Sequence, residues 1–333
     1  MKRAKSAKQA KAASTRQKNS AKPAKRIIQT KKSVAKKVRR ASSHSRRSTS
    51  PAYIGQQSRQ ESREESKRID QSRAPKSSRS LRSLRSLAST AQPKIRTISD
   101  EKLLFTKAAK RIADELTLAI AKKGFATIAL AGGRSAASLC AKLAKQKISW
   151  KDIHVFVIDE RLVPINDEQS NFKIINDTLV RPINAVKPLD RLPRANVHPF
   201  IFDSLVPDEG SAHYSDELSQ VTAGTDTTFD IIFVSAGEDG HIAGLYPHHP
   251  LLSNKAAGFA TFHDSPKPPA DRMTALPHNF LHANFSLLLI IGDTKRQALV
   301  NLKNTSMTLK DCPAKLVTKS HDHLILTNLK ATD

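Results

Sequence analysis

The chain has 333 residues, with 38% hydrophobic and 5% aromatic side chains, and its formal net charge at pH 7 is +26. Its longest aliphatic run, residues 287–291, is much shorter than a membrane span, and its first residues lack the apolar core of a secretory signal. We therefore expect neither a membrane-spanning nor a secreted protein. Cys140 and Cys312 match no metal-ligand spacing, so we expect two reduced thiols in a reducing compartment.

The positive charge is concentrated at the N-terminus. Residues 1–97, the basic tail, hold 29 of the 56 Lys and Arg residues and 4 of the 30 Asp and Glu residues, a net charge of +25. The remaining 236 residues carry a net charge of +1. The apolar residues of the basic tail are too scattered to offset the entropy cost of ordering. We predict a disordered tail, with a short helix near residues 80–89, followed by one domain over residues 98–333.

The first elements of the domain are a helix, a strand and a second helix. Ser99 is predicted to cap a helix whose apolar residues recur every four positions from Leu104, and Gly124 is predicted to end it. A short apolar strand at 126–131 then leads through a glycine turn into a second helix that ends near Gln146.

Further apolar runs without polar alternation predict buried strands at residues 154–158, 229–235, 285–291 and 323–328. Such runs are typical of strands that are covered on both faces, as in parallel sheets. The sequence therefore predicts an α/β fold with a mainly parallel sheet and Rossmann-like winding.

The segment after the strand 229–235 is the most informative motif of the chain. It contains His241 in a glycine-rich turn, flanked by Glu238 and Asp239. A carboxylate beside an imidazole fixes its tautomer and raises its basicity, as a general base requires. A surface loop with an incidental histidine is the alternative, but ligand crevices of open α/β sheets form at strand ends of this kind.

Several loops carry groups suited to a phosphate. A glycine turn between a strand and a helix offers backbone amides, although its sequence is neither a dinucleotide fingerprint nor a P-loop. A stiff proline-bearing segment at 265–274 and the residues after the strand 285–291 add cations. In isolation, each of these segments is also compatible with an ordinary structural turn. The candidate residues for binding the substrate or its phosphate are Gly132, Gly133, Arg134, Ser135, Asn171, Lys267, Arg272 and Lys295.

Polar residues also follow the strand 154–158. Asp159, Glu160 and Arg161 are too polar to be packing residues, and Asn171 closes the loop beyond them. A solvated, salt-bridged turn is the alternative interpretation.

Taken together and in order, these segments resemble the 6-phosphogluconolactonase family from about residue 100 to residue 325. The segments are AGGRSAASL at 131–139, DERLVP at 159–164 with a later Ser-Asn pair, FDIIFVSAGEDGHIAGLYP at 229–247, SPKPPADRMT at 265–274 and IGDTK at 291–295. The resemblance implies a NagB/RpiA-type fold. It also implies hydrolysis of 6-phospho-D-glucono-1,5-lactone to 6-phospho-D-gluconate in the oxidative pentose phosphate pathway, without a cofactor.

The resemblance also implies roles for individual residues. His241 matches the general base that activates water, and Asp159 and Arg161 match a polar cluster that orients the substrate and stabilises charge. The glycine turn with Arg272 and Lys295 would hold the phosphate. The chain lacks a G-x-S-x-G elbow, so we expect direct attack by water and no acyl-enzyme. No histidine pair has an acidic ligand set beside it, so we expect no metal.

The chain departs from the family pattern in two loops. Ala131, Ser135 and Ala136 occupy positions at which the family usually has Ser, Thr and Pro, and Ile242 and Gly244 replace Thr and Ser. These departures bear on substrate affinity and not on the type of reaction.

Two alternatives have to be weighed. Glucosamine-6-phosphate deaminase shares the Asp-Gly-His-Ile-Ala turn, but that family places a carboxylate five residues after the histidine, where this chain has Tyr246. The second alternative is that the chain is chiefly a nucleic-acid-binding protein, acting through its tail, with a degenerate enzyme domain. The basic tail itself is interpreted as a non-specific polyanion-binding segment, an organellar transit peptide or an inert extension. We expect a cytoplasmic monomer, with organellar import through the tail as the other possibility.

Overall fold

The computed structural model describes residues 93–186 and 190–330. The strands in this part of the chain are β1 (Ile95–Thr97), β2 (Ala126–Leu130), β3 (Ile153–Val157), β4 (Asp159–Arg161), β5 (Val197–His198), β6 (Phe229–Ser235), β7 (Phe259–Phe262), β8 (Arg272–Ala275), β9 (Ala283–Ile290) and β10 (Asp322–Thr327). The α-helices are α1 (Glu101–Lys123), α2 (Arg134–Leu143), α3 (Asn171–Ile175), α4 (Arg181–Val186), α5 (Ser211–Val221), α6 (Pro277–Leu281) and α7 (Arg296–Lys303). A π-helical turn, Asn176–Val180, joins α3 to α4, and 3-10 helices span Trp150–Asp152, Arg194–Asn196, Pro250–Ser253, Asp293–Lys295 and Pro313–Lys319.

Seven strands form one sheet in the order β1-β10-β9-β6-β2-β3-β5, and every pair in it is parallel. Every residue of β2 is buried, as are all residues of β6 except its last one. The continuous apolar runs are explained by this burial, since such strands have no solvent-facing side on which polar residues would alternate. The predicted α/β fold with a mainly parallel sheet is confirmed.

The first helix forms as predicted but begins at a different cap. Asp100, and not Ser99, is the N-cap, because its side chain accepts a hydrogen bond from Leu103 N over 3.0 Å. Gly124 ends the helix in the left-handed conformation, as expected. The second helix, α2, ends at Leu143, three residues before the predicted end.

The order of the strands places a crevice beside β2. The chain leaves β2 toward β3 and β5 on one side, and β6, β9 and β10 lie on the other. Leu130, the last residue of β2, is paired with both Val157 and Phe233. Because parallel strands end at the same edge, the loops after β2, β3, β6 and β9 meet there, which is where such folds bind ligands.

A second, three-stranded antiparallel sheet has the order β4-β8-β7, and the sequence analysis did not predict it. In it, Arg161 is opposite Arg272 and Asp159 is opposite Thr274. The polar residues 159–161 and the end of the proline-bearing segment are therefore adjacent strands. The candidate residues of two distant segments are brought together by this pairing.

The boundary of the domain also differs from the predicted one. β1 pairs with β10 through Ile95, opposite Ile325, so the sheet begins three residues before the predicted start at residue 98. Residues 1–92, which include the predicted short helix at 80–89, lie outside the described residues. No helix within residues 93–186 or 190–330 is long and apolar enough to cross a membrane.

Candidate active site

His241 lies in the turn after β6, at the carboxyl edge of the parallel sheet. Its Nδ1 atom is 2.5 Å from Asp239 Oδ1, and its backbone N–H donates to the same oxygen over 3.2 Å. Gly237 N donates to the His241 carbonyl over 2.8 Å and closes the turn. Because a carboxylate beside Nδ1 keeps the proton on that nitrogen, Nε2 is the ring atom that is free to accept another.

Asp239 and Glu238, which both precede His241 closely in the sequence, have different surroundings. Partial burial acts to raise the pKa of Asp239, but the hydrogen bonds and charge of His241 outweigh this effect and lower the pKa to about 2. Asp239 is therefore a carboxylate at neutral pH. Glu238 instead interacts electrostatically with Lys295.

Gly237 is required for the position of the imidazole. A Cβ atom at residue 237 would lie 2.0 Å from Cε1 and 2.1 Å from Nδ1 of His241, and 2.8 Å from Asp239 Oδ1. Any side chain at this position would therefore displace the His–Asp pair.

Asp159 is deeply buried beside the same turn. Asp159 is 7% exposed, and its Oδ1 atom has no hydrogen-bond partner among the described residues. Burial raises the pKa of Asp159, and the charges of Arg161, Arg272 and His241 act in the opposite direction. These four groups form what we call the histidine group. A buried acceptor without a partner is costly, which makes Oδ1 suited to receive a donor from a ligand or water.

Asn171 connects Asp159 to the glycine turn after β2. Its Nδ2 atom donates to the Asp159 carbonyl over 2.8 Å and to Asp159 Oδ2 over 3.2 Å. Its Oδ1 atom would lie only 1.9 Å from a Cβ atom at residue 132. Gly132 is thus needed because the Asn171 amide occupies the space of a side chain there.

Glu160, the middle residue of the polar triplet, has a structural role. Its carboxylate accepts hydrogen bonds of 2.7–2.9 Å from Arg161 N, Asn171 N, Phe172 N and the Ser170 hydroxyl. Burial raises the pKa of Glu160, and these hydrogen bonds oppose the rise. The carboxylate fixes the start of α3, and therefore the position of Asn171.

Arg161 and Arg272 are held by backbone carbonyls. Arg161 Nη1 donates to the Gln169 carbonyl. Arg272, only 5% exposed, donates from Nη2 to the Lys267 carbonyl over 3.0 Å and from Nε to the Pro269 carbonyl over 3.1 Å. The prediction that Arg272 is presented on a loop needs correction, because it is a buried strand residue that shapes that loop. Because its charge acts on Asp159, we place it in the histidine group and not with the phosphate ligands, where the sequence had placed it.

Three predicted phosphate ligands form a second charged group, the cation group, which consists of Arg134, Lys267 and Lys295. Lys295 Nζ donates to Ser235 Oγ over 2.9 Å. Burial lowers the pKa of Lys295, as do the charges of Lys267 and Arg134, while Glu238 opposes them. No carboxylate in the described part of the chain is within salt-bridge distance of these three side chains. Three cations gathered without a carboxylate of the described residues within salt-bridge distance form a positive site that suits an anion.

The glycine turn lies at the start of α2. Gly133 is the N-cap of α2, and no side chain caps the helix. Arg134 and Ser135 are its first residues, so their N–H groups belong to an uncapped helix start, which attracts anions.

Four of the five departures from the family pattern, Ala131, Ala136, Ile242 and Gly244, are buried. The Ile242 side chain is fully buried, and Ala131 is buried as well. Gly244 N donates to Thr274 Oγ1 over 3.0 Å, and a Cβ atom at residue 244 would lie 2.8 Å from the Thr274 side chain. Ile242 and Gly244 therefore concern the packing of the turn and are not placed to contact a substrate.

The sequence analysis missed three residues of the site. Ser235 accepts the Lys295 hydrogen bond, and the Tyr246 ring packs against the His241 imidazole with 4.5 Å between the centroids. Ser265 lies 3.0 Å from the Tyr246 hydroxyl. The motifs at 229–247 and 265–274 contain these residues and indicated that the regions matter, but nothing in the sequence singled out these three side chains.

Among residues 93–186 and 190–330, no group of three or more His, Cys, Asp or Glu side chains is arranged to hold a metal ion. The tight pairs His248-His249 and His321-x-His323 contribute to no such group. The expectation of a metal-free reaction stays a prediction.

Known proteins share the sequence and the fold of this chain. The sequence profile described as glucosamine-6-phosphate isomerases/6-phosphogluconolactonase matches residues 99–326. A 6-phosphogluconolactonase of Borreliella burgdorferi is 32% identical over 224 residues, which cover 66% of this chain and 91% of that protein. The crystal structure of a Thermotoga maritima 6-phosphogluconolactonase has a TM-score of 0.59 at 27% identity, covering 71% of this chain and 99% of that one.

The fold is not specific to lactonases. A monomeric glucosamine-6-phosphate deaminase has a TM-score of 0.58 at 18% identity, covering 70% of this chain and 96% of that one, so it shares the fold alone. The matched sequence profile, whose description includes both activities, covers residues 99–326, from before the glycine turn into β10, the strand after Lys295. The chain therefore belongs to the glucosamine-6-phosphate isomerase/6-phosphogluconolactonase family.

Proposed function

We propose that this protein hydrolyses 6-phospho-D-glucono-1,5-lactone to 6-phospho-D-gluconate, as a step of the oxidative pentose phosphate pathway. The observation that carries the proposal is the proximity of two groups at one sheet edge. The histidine group contains a base, His241, which the neighbouring Asp239 carboxylate orients. In the cation group, no carboxylate of the described residues is within salt-bridge distance. A substrate with a reactive ester at one end and a phosphate at the other fits both groups.

His241 acts as the general base. Its Nε2 atom takes a proton from water, whose oxygen attacks the lactone carbonyl carbon and forms a tetrahedral oxyanion. The bond between this carbon and the ring oxygen then breaks, and the imidazolium returns the proton to the leaving oxygen. Asp239 stabilises the imidazolium, and its low pKa keeps it charged throughout.

The buried polar residues of the histidine group orient the substrate and stabilise the oxyanion. Arg161 and Arg272 supply fixed positive charge, which is effective because their guanidinium groups are held by backbone carbonyls and need not reorganise. The unpartnered Oδ1 atom of Asp159 accepts a hydrogen bond from a substrate hydroxyl.

The cation group binds the phosphate. Arg134, Lys267 and Lys295 surround it together with the N–H groups at the start of α2, to which Gly132, Gly133 and Ser135 belong. Charge-assisted hydrogen bonds to a phosphate are each worth about 1.5–3 kcal/mol. The phosphate thereby fixes the distance between the lactone carbonyl and His241.

The reaction is distinguished from deamination by the surroundings of His241. The residue five positions after it is Tyr246, whose ring packs on the imidazole, so no carboxylate is available from that position. A direct test incubates the purified full-length protein with the lactone and, separately, with glucosamine 6-phosphate. We expect rapid acid release from the lactone, above the spontaneous rate, and no ammonia. Ammonia release without lactone hydrolysis would overturn the proposal.

We further propose that the basic tail binds polyanions without sequence specificity. Its net charge of +25 favours association with nucleic acid through the release of counterions. Tyr53 is its only aromatic residue, so it lacks the stacking side chains that base recognition uses. A transit peptide, in contrast, would be cleaved, and the mass of the mature protein distinguishes the two.

We also propose a cytoplasmic monomer. The two cysteines of the chain, Cys140 and Cys312, are both free and buried, which is compatible with a reducing compartment. Sedimentation of the purified protein and microscopy of a fluorescent fusion test the two parts of this proposal.

A further inference from the structure

Tyr246 lies between the turn that carries His241 and the loop that carries Lys267. The tyrosine is 4% exposed. On one side, its ring faces the His241 imidazole at 4.5 Å between centroids, with 40° between the planes. On the other side, its hydroxyl oxygen is 3.0 Å from Ser265 Oγ. One side chain therefore contacts both the base and the proline loop, which we define as residues 263–271.

Ser265 organises the backbone of the proline loop around Lys267. Its hydroxyl donates to the Lys267 carbonyl over 2.9 Å, and Lys267 N lies 3.3 Å from the same Oγ atom. Ser265 N donates to the Ala270 carbonyl over 3.2 Å, and Arg272 holds the Lys267 carbonyl from the other side. The position of Lys267 thus depends on Ser265, whose hydroxyl lies against Tyr246.

The tyrosine hydroxyl is not placed for proton transfer. It is buried and lies against Ser265, whereas the face of the ring is what meets His241. The contacts of the Tyr246 side chain are therefore those of a residue that holds its neighbours, His241 and Ser265, in position. The lactone is a rigid ring of constant length, so its hydrolysis depends on the separation between the cation group and the base.

We propose that Tyr246 is a positioning residue that couples His241 to the proline loop. Its ring supports the imidazole, and its hydroxyl holds Ser265 and, through it, the Lys267 cation. This inference rests on the proposed function, because it assigns Lys267 to the phosphate and His241 to the lactone. It predicts that the hydroxyl and the ring of one residue affect different kinetic constants.

The two halves of the side chain can be removed separately. Tyr246→Phe keeps the ring, so we expect kcat to stay within about twofold and KM for the lactone to rise about fivefold, the value of one hydrogen bond. Tyr246→Leu also removes the aromatic face, so we expect kcat to fall by about threefold to tenfold in addition.

Ser265→Ala tests the link to the loop. It should raise KM at least as much as Tyr246→Phe does, because it also removes the contacts of the Ser265 hydroxyl with Lys267. The double variant should be no worse than Ser265→Ala alone, because Ser265→Ala already removes the contact that Tyr246→Phe removes. Tyr214→Phe is the matched control. The Tyr214 hydroxyl is also buried and accepts from Val157 N over 2.9 Å, in a contact that includes neither His241 nor the proline loop. This control should lower Tm and leave KM and kcat unchanged.

A second readout does not require activity. Amide hydrogen exchange in the peptide that spans residues 263–272 should be faster in Tyr246→Phe than in the unmodified protein, and unchanged in Tyr214→Phe. Unchanged exchange, an unchanged KM, or additive effects in the double variant would overturn the coupling. An unmodified protein that does not hydrolyse the lactone would instead contradict the proposed function, and the exchange result would still decide whether Tyr246 holds the loop.

Discussion

At the scale of single residues, the chemistry of His241 depends on neighbours that the sequence identifies only in part. The sequence showed a histidine that closely follows two carboxylates in a glycine-rich turn, but it did not show which carboxylate contacts the ring. The structure assigns that contact to Asp239 and leaves Glu238 near Lys295. This choice is made by the backbone path of the turn, which is set by packing and by the close approach at Gly237.

Gly237→Ala tests the close approach. Because the added Cβ atom would lie 2.0 Å from His241 Cε1, we expect the ring to move and kcat to fall about a hundredfold, as for a displacement of roughly 1 Å at a reacting group. Gly224→Ala is the control, since a Cβ atom there meets nothing within 4 Å, although the φ of 78° makes the substitution strained. Both variants should lose some stability in thermal unfolding, but a Gly237→Ala enzyme with normal kcat would show that the turn tolerates the methyl group.

Lys295 should make phosphate binding sensitive to alkaline pH. Burial and the neighbouring cations lower the pKa of Lys295, so its charge is present below that pKa and is lost as the pH rises through it, earlier than for an ordinary lysine. We expect the affinity for 6-phosphogluconate, measured by calorimetry, to fall on the alkaline side. In Lys295→Arg the fall should disappear, because arginine stays charged. Identical pH profiles for the two proteins would exclude Lys295 as the titrating group.

At the scale of elements, the long buried strands could be predicted and the short ones could not. The runs that became β2, β6 and β9 are mostly apolar and show no regular polar alternation, so burial on both faces is visible in the sequence alone. The strands β4 and β8 have three and four residues, and their pairing joins Asp159 to Thr274, more than a hundred positions away. Local patterns carry no information on such a contact, which is why Arg272 was predicted to lie in a loop.

The edge of the parallel sheet should lose stability in acid. His154 Nδ1 on β3 is 2.9 Å from His198 Nε2 on β5, and His198 Nδ1 is 2.6 Å from Glu217 Oε1. Burial lowers the pKa of His154 to about 4, with contributions from the charges of His198 and Lys123 and an opposing one from Glu217. The unfolded chain therefore binds a proton that the folded chain does not bind between about pH 6.5 and pH 4. Stability rises with pH across this window.

Urea unfolding at several pH values measures this effect. We expect the free energy of unfolding to decrease by up to about 3 kcal/mol more in the unmodified protein than in His154→Gln as the pH falls through that window. The comparison removes the contribution of the carboxylates, which titrate in both proteins. Parallel pH dependences would show that His154 is protonated equally in both states.

At the scale of the whole molecule, charge and catalysis are separated along the chain. The basic tail carries a net charge of +25, and the remaining residues carry +1. The matched family profile begins at residue 99, beyond the tail. The strand β1 was not visible in the sequence, because it has only three residues and its partner, β10, lies near the other end of the chain.

Two truncations test this separation. Removal of residues 1–92 should preserve lactonase activity and abolish retention on heparin, since nearly all the excess charge is lost. Removal of residues 1–98 should also lower Tm, because it deletes β1 and the hydrogen bonds between Lys94 N and His323 and between Ile325 N and the Lys94 carbonyl. Equal retention of the full-length and the shorter protein on heparin would place the polyanion-binding surface on the folded domain.

The central claim is that His241 activates water to open the phosphorylated lactone. The measurement is the rate of proton release from 6-phosphogluconolactone at neutral pH for the full-length protein and for His241→Asn, each corrected for spontaneous hydrolysis in a blank. Loss of a general base predicts a kcat lower by roughly 10²–10⁴ in the variant, with circular dichroism and Tm close to those of the unmodified protein. A His241→Asn protein that folds normally and hydrolyses the lactone at the unmodified rate would contradict the account.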